Sequence, residues 1–246
     1  MKGKIALITG GTSGIGDAIC EELHKEGAFI ITCGRNPEKT KKWEEEKKKK
    51  DFSNLEVYVC DVSDYESCKK MIMEIEKKHK RIDILVNNAG ITKDGFFKKM
   101  SKNDWDIVMK TNLDSLYNIT QPVINIMLNH KYGRIINISS VNGQKGQFGQ
   151  VNYSASKAGV HGFTKALAQE VATKNITVNT ISPGYIDTEM VRSVPEDIRK
   201  KIIDSVPMKR LGTPEEIAKL VAFLANESSG YMTGADFSIN GGLHMY

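Results

Sequence analysis

The sequence has no stretch approaching the roughly 20 apolar residues of a membrane span. Its first apolar run, Ile5-Ala6-Leu7-Ile8, gives way to a glycine-rich turn and is too short for a secretory signal. Cysteine is scarce as well. Cys20, Cys33, Cys60 and Cys68 form no C-x-x-C pair and have no histidine at ligand spacing, which argues against a zinc site or a disulfide framework. The expectation is a cytoplasmic protein with reduced thiols and no metal. The five histidines fall into no Ser-His-Asp arrangement readable from sequence, and no G-x-S-x-G elbow appears, so a hydrolase is not indicated. Neither sign of charge dominates: 35 basic residues stand against 30 acidic, for a net charge of +5. The positive residues cluster only in KTKKWEEEKKKKD (39–51), where both signs alternate around Trp43. That pattern reads as a solvated helix face, with neither nucleic acid nor membrane as a partner.

What is present is an alternation. Short β-branched runs at 4–9, 28–33, 55–60, 82–86, 134–139, 177–182 and 236–240 are separated by helix-length segments. Near-continuous apolar strands of this kind suit a sheet covered on both faces. The fold class is therefore α/β: a single Rossmann-type doubly wound domain over 1–246, with a seven-stranded, mostly parallel sheet and helices on both faces. Ser63-Asp64-Tyr65-Glu66 reads as a capping box, as does Thr213-Pro214-Glu215-Glu216. Trp105, Met71 and Met73 read as packing residues. The segment 183–211, with three of the six prolines, breaks the alternation after a strand and reads as a lid over a site.

After the first strand comes Thr9-Gly10-Gly11-Thr12-Ser13-Gly14-Ile15-Gly16. Glycines at 10, 14 and 16 let the backbone approach a pyrophosphate at a helix N-terminus. A dinucleotide is the natural ligand, touched by Gly10, Thr12, Ser13, Gly14, Ile15 and Gly16. The second strand ends in Cys33-Gly34-Arg35, where enzymes that use NAD commonly place an acid. A guanidinium pairs instead with a 2′-phosphate, so the expected cofactor is NADPH, held by Arg35 and more weakly by Lys39. Other strand ends meet the same crevice: Cys60-Asp61-Val62 at the adenine, Asn88-Ala89-Gly90 at the ribose, and Pro183-Gly184-Tyr185-Ile186 with Thr188 beyond the sixth strand. Asn87 and Asn88 are equally suited to tying their loop together.

The fifth strand finishes at Ile138-Ser139-Ser140, and 13 residues after Ser140 stands Tyr153 of Tyr153-Ser154-Ala155-Ser156-Lys157. Tyr153 and Lys157 are spaced i, i+4, about 5 to 6 Å apart on one helical face. A nearby cation favours the phenolate, and lowering an ordinary phenol by three pH units takes about 4 kcal/mol. Lys157 and an oxidised nicotinamide ring are the expected sources.

T-G-x-x-x-G-x-G, N-N-A-G, the strand-end serine, Y-x-x-x-K and P-G together resemble the short-chain dehydrogenase/reductase family over nearly the whole chain. The resemblance implies Tyr153 as acid/base, Lys157 on the nicotinamide ribose, Ser140 orienting a carbonyl and Asn112 supporting a water that leads to the lysine. It also implies a homotetramer built on helices near 101–130 and 154–174. NISSVNGQKGQFGQ (137–150), HGFTKALAQEVATK (161–174), SPGYI (182–186) and TGADFSINGGLHM (233–245) are similar to the acetoacetyl-CoA reductases of polyhydroxybutyrate synthesis. That likeness implies reduction of acetoacetyl-CoA, or a related 3-oxoacyl thioester, to its (3R)-3-hydroxy product. Asp94, Gln147, Phe148, Gly149, Gln150 and Tyr185 would lie around the acyl-CoA. The rival readings are a 3-oxoacyl-acyl-carrier-protein reductase and a non-catalytic Rossmann nucleotide- or nucleic-acid-binding protein.

Overall fold

The fold was analysed in a computed structural model, which describes residues 1–50 and 52–245. Seven strands form one sheet: β1 (Ile5–Thr9), β2 (Phe29–Gly34), β3 (Leu55–Val59), β4 (Ile84–Asn87), β5 (Gly133–Ile138), β6 (Ile176–Pro183) and β7 (Asp236–Ile239). Their order is β3-β2-β1-β4-β5-β6-β7 and every pairing is parallel. The order reverses direction between β1 and β4, the switch point at which an open α/β sheet leaves a crevice outside its carboxyl ends.

Strand side chains alternate between two cores. Ala6 and Ile8 face one core, with Ile19 and Leu23 of α1 (Gly14–Lys25) and Ile217 and Val221 of α10 (Pro214–Ala225). Leu7 faces the other, with Met71 and Ile75 of α3 (Tyr65–His79), Ile119 and Val123 of α5 (Ser115–His130) and Val171 of α7 (Val151–Val171). Burial on both faces explains why the strands read as unbroken apolar runs. The remaining helices are α2 (Pro37–Lys48), α4 (Lys102–Met109), α6 (Val141–Lys145), α8 (Glu189–Arg192) and α9 (Glu196–Ser205).

Thr213 does form the reciprocal capping box with Glu216. The box expected at Ser63 is displaced by one residue. Asp64 is the N-cap and accepts from the Glu66 amide at 3.3 Å, while the Ser63 hydroxyl donates to Asp61 Oδ1 at 2.7 Å. The closer carboxylate has captured the serine. Within the charged segment, α2 is mostly solvated, yet Lys47 is buried and pairs with Glu21 of α1 at 2.6 Å. Buried Trp43 donates to Asp17 at 2.9 Å and Lys47 pairs with the same carboxylate, so three contacts fasten this helix to α1. Asp51, the last residue of that segment, lies outside the described residues. Met73 is 59% exposed, so of the α3 methionines Met71 packs and Met73 does not.

At the amino edge of the sheet, buried Asp83 accepts from the Ile5 amide at 2.8 Å and from Arg81. Buried Arg134 donates to the carbonyls of Gly133 at 2.9 Å and Asn175 at 3.0 Å, and stacks over Tyr132. Lys4 stands 3.7 Å from the centre of the same ring. All four thiols are buried and unbridged. The segment 183–211 is more regular than expected, because α8 and α9 occupy half of it.

Candidate active site

The carboxyl ends of the strands open onto a cleft of about 1020 Å³. One end is walled by the glycine turn. Gly10 and Gly14 have positive φ (66° and 53°), and Gly16 is packed so closely that a Cβ there would lie 2.3 Å from the Gly10 carbonyl oxygen. Asn88 fixes this turn from below: its Nδ2 donates to the carbonyls of Thr9 at 3.0 Å and Gly10 at 3.2 Å. Thr9 Oγ1 accepts in return from the amides of Asn88 and Ala89 at 3.0 and 3.1 Å. The asparagine side chain thus ties two strand ends together and leaves the loop backbone to face a ligand. The first turn of α1 points its free amides at the cleft, and Ser13 makes no side-chain cap bond there. A narrow glycine cradle backed by unpaired helical N–H groups fits a pyrophosphate.

Exposed Arg35 lines the cleft beside Gly34 and Cys33, whereas Lys39 lies outside it. The Lys39 amide is taken by Asn36, which caps α2 at 2.9 Å. Cys60, Asp61, Val62, Ala89, Gly90 and Thr188 line the wall as the topology requires, together with Thr12, Ile15 and the Pro183–Ile186 turn.

Ser140, Tyr153 and Lys157 stand on the opposite wall. Ser140 caps α6, accepting from the Asn142 amide at 3.1 Å. Lys157 is 4% exposed; its Nζ donates to the Ile138 carbonyl at 2.8 Å and lies 5.8 Å from the centre of the Tyr153 ring. Burial pushes the Lys157 ammonium down to about 8. Burial also pushes the Tyr153 phenol up, opposed by a hydrogen bond with Ser140 and reinforced by the Asp94 carboxylate. The protein's own groups therefore raise the phenol, contrary to the expectation that Lys157 lowers it, because taking both groups out of water outweighs their spacing.

Asn112 does not line the cleft. It sits in a π-helical turn, Lys110–Asp114, between α4 and α5, and both ends of its amide clasp Ile91: Oδ1 accepts from the amide at 2.8 Å and Nδ2 donates to the carbonyl at 2.9 Å. Asn112 Oδ1 and Lys157 Nζ both back Gly90, at 3.3 and 3.5 Å from where its Cβ would be.

Elsewhere along the cleft, Asp94 accepts from Gln150 Nε2 at 2.9 Å, and Gln150 Oε1 accepts from Asn142 at 3.0 Å. Gly149 holds the same two loops together through its carbonyl, which accepts from the Gly95 amide at 2.8 Å, but it does not line the cleft. Gln147, Phe148 and Tyr185 do line it. Phe148 is 81% exposed and meets Phe96 edge-on at 5.3 Å. Sequence reasoning missed Thr92 and an apolar stripe in segment 183–211, where Val194, Ile198 and Ile202 recur at i, i+4 and line the cleft. That spacing, in an otherwise charged helix, was the available signal.

The sequence profile of the family described as short chain dehydrogenase matches residues 4–199. The chain is 53% identical over 246 residues to an acetoacetyl-CoA reductase of Cupriavidus necator, with both chains fully covered. It is 56% identical over 247 residues to nodulation protein G of Azospirillum brasilense, covering 99% of each. It is 44% identical over 248 residues, again with both fully covered, to the 3-oxoacyl-[acyl-carrier-protein] reductase FabG of Haemophilus influenzae.

Proposed function

Because the chain belongs to the short-chain dehydrogenase family, we propose that this oxidoreductase uses NADPH to reduce acetoacetyl-CoA to (3R)-3-hydroxybutanoyl-CoA, the precursor of polyhydroxybutyrate. The observation that carries the reading is a single cleft with the glycine turn at one end and Ser140, Tyr153 and Lys157 at the other. The choice of thioester rests on full-length likeness to the Cupriavidus reductase.

NADPH supplies a hydride to the ketone carbon. The protein's residues do the rest. Ser140 and Tyr153 donate hydrogen bonds to the ketone oxygen, where negative charge develops, and Tyr153 delivers its proton. The phenol that burial holds protonated is an acid ready for the reductive direction. Lys157, fixed by the Ile138 carbonyl, holds the nicotinamide ribose, and Asn112 keeps Ile91 and Gly90 in place behind it. Arg35, exposed at the far end, pairs with the 2′-phosphate. Asp94, Gln147, Phe148 and Gln150 receive the acyl-CoA beneath a lid spanning 183–211, in a cytoplasmic homotetramer.

The rival thioester is a carrier-protein one, favoured by the 44% identity to the Haemophilus enzyme. NADPH oxidation with acetoacetyl-CoA against acetoacetyl-carrier protein decides between them. Higher kcat/KM for the CoA ester is expected; a strong preference for the carrier protein overturns the choice.

A further inference from the structure

Behind the reacting groups lies a second polar cluster that the chemistry above does not use. Asp236 of β7 accepts from Ser182 of β6 on Oδ1 at 2.7 Å. Its Oδ2 accepts from Gln144 of α6 at 2.7 Å and faces His161 Nδ1 of α7 at 3.1 Å. These donors hold the carboxyl low against the opposing effect of burial, so Asp236 is an anion that can only accept. On the other side of the ring, His161 Nε2 is 3.0 Å from Ser139 Oγ, which in turn is 2.9 Å from the Lys157 carbonyl oxygen.

Counting protons along this chain leaves one assignment. A carbonyl cannot donate, so the Ser139 hydroxyl gives its only proton to Lys157. The contact between Ser139 and Nε2 then needs a proton on Nε2, and the contact with the carboxylate needs one on Nδ1. All three contacts are satisfied together only by an imidazolium. We propose that His161, charged and paired with Asp236, is a positioning residue that acts through Ser139 to clamp the Lys157 turn of α7 onto the end of β5.

The clamp has two jaws. Lys157 Nζ donates to the Ile138 carbonyl, and the Lys157 carbonyl accepts from Ser139, so the two residues before Ser140 hold the lysine by both its head and its backbone. When the ring loses its Nε2 proton, the single Ser139 proton serves either His161 or Lys157 but not both. Without that proton one jaw opens. Asp236 of β7 is the charged group against the ring, whereas Lys157, one turn back on α7, aims its ammonium at the Ile138 carbonyl; Ser139 meets the ring, and Ser182 and Gln144 meet Asp236. Lys145 of α6 turns away to the Gly146 carbonyl and Gln147 Oε1.

The inference rests on Lys157 serving the proposed reaction, and two measurements separate its failure from failure of that reading. In the full-length enzyme with NADPH, nitrogen-15 NMR of the histidine rings, assigned with His161→Gln, reads the charge without any substrate. Both His161 nitrogens protonated at pH 7 is the expected result; a neutral tautomer overturns the proposal. Kinetics use whichever 3-oxo substrate the wild type reduces. His161→Gln and Asp236→Asn are each expected to lower kcat about 10-fold with KM for NADPH nearly unchanged, because a small misplacement of a reacting group is costly. The double variant should be no worse than either single one. Parallel loss of Tm with additive effects, or a KM for NADPH that changes along with kcat, would make the cluster merely structural.

Discussion

Lys157 is a buried cation with an unusual stability signature. Below about pH 8 its amine is charged in both folded and unfolded chains, and the folded state bears the cost of removing that charge from water. Between about 8 and the ordinary 10.5, the folded protein has released a proton that the unfolded chain still holds, so stability rises with pH. At about 1.36 kcal/mol per pH unit, the full gain is about 3 kcal/mol, most of it reached by pH 10. For a chain of this size that is a Tm difference of about 5 to 10 °C. Other groups titrate in the same window, so the measurement is a difference: wild type against Lys157→Met, both unfolded by urea without nucleotide at pH 7 and pH 10. Methionine keeps the unbranched stem and removes the charge. It also loses the bond to the Ile138 carbonyl, but that loss is common to both pH values and drops out. Wild type should gain about 2 to 3 kcal/mol on the variant between the two conditions. Parallel responses would refute the claim that a charged amine is desolvated in this site.

Tyr153→Phe should lower kcat by about 10² to 10⁴ while NADPH affinity, measured by calorimetry, stays within about threefold; appreciable residual reduction would point to another acid. Gly16→Ala drives a methyl against the Gly10 carbonyl at 2.3 Å and Asn88 Nδ2 at 2.6 Å. It should cost about 1 to 3 kcal/mol of stability and most NADPH binding; normal affinity would mean the turn is not closely packed. Arg35→Asp should shift the ratio of kcat/KM towards NADH, and an unchanged ratio would remove Arg35 from the 2′-phosphate site. Phe148→Gln changes an exposed side chain at the cleft mouth. Tm should stay within about 1 °C, as for most surface substitutions, while KM for the thioester rises severalfold; an unchanged KM would place the acyl-CoA elsewhere.

The strands were legible because a doubly covered sheet writes itself as β-branched apolar runs, and every run maps to a strand whose ends agree within two residues. The glycine turn and the Tyr153–Lys157 pair were legible for a related reason, since both are local spacings on one element. What escaped was set by distant partners. Nothing near Lys47 announces the Glu21 carboxylate that pulls it inward. The π-helical turn that withdraws Asn112 from the cleft depends on Ile91, some twenty positions earlier. The rise of the Tyr153 phenol is a property of burial, which residue spacing does not report. The five histidines were unreadable in the same way: Ser139, His161 and Asp236 meet only because β5, α7 and β7 are neighbours in space.

The parallel sheet also divides the molecule by task. The glycine turn, Tyr153 and the cleft-lining part of segment 183–211 all gather where the strands end. The buried ionic anchors, Asp83 with Arg81 and Arg134 with its carbonyls, lie where the strands begin, a strand's length away. Heat tolerance and catalysis are therefore separately adjustable. Substitutions that strengthen the lower rim, around Lys4, Asp83 and Arg134, have room to raise the melting point without disturbing hydride transfer, and changes of substrate range have a robust base on which to accumulate.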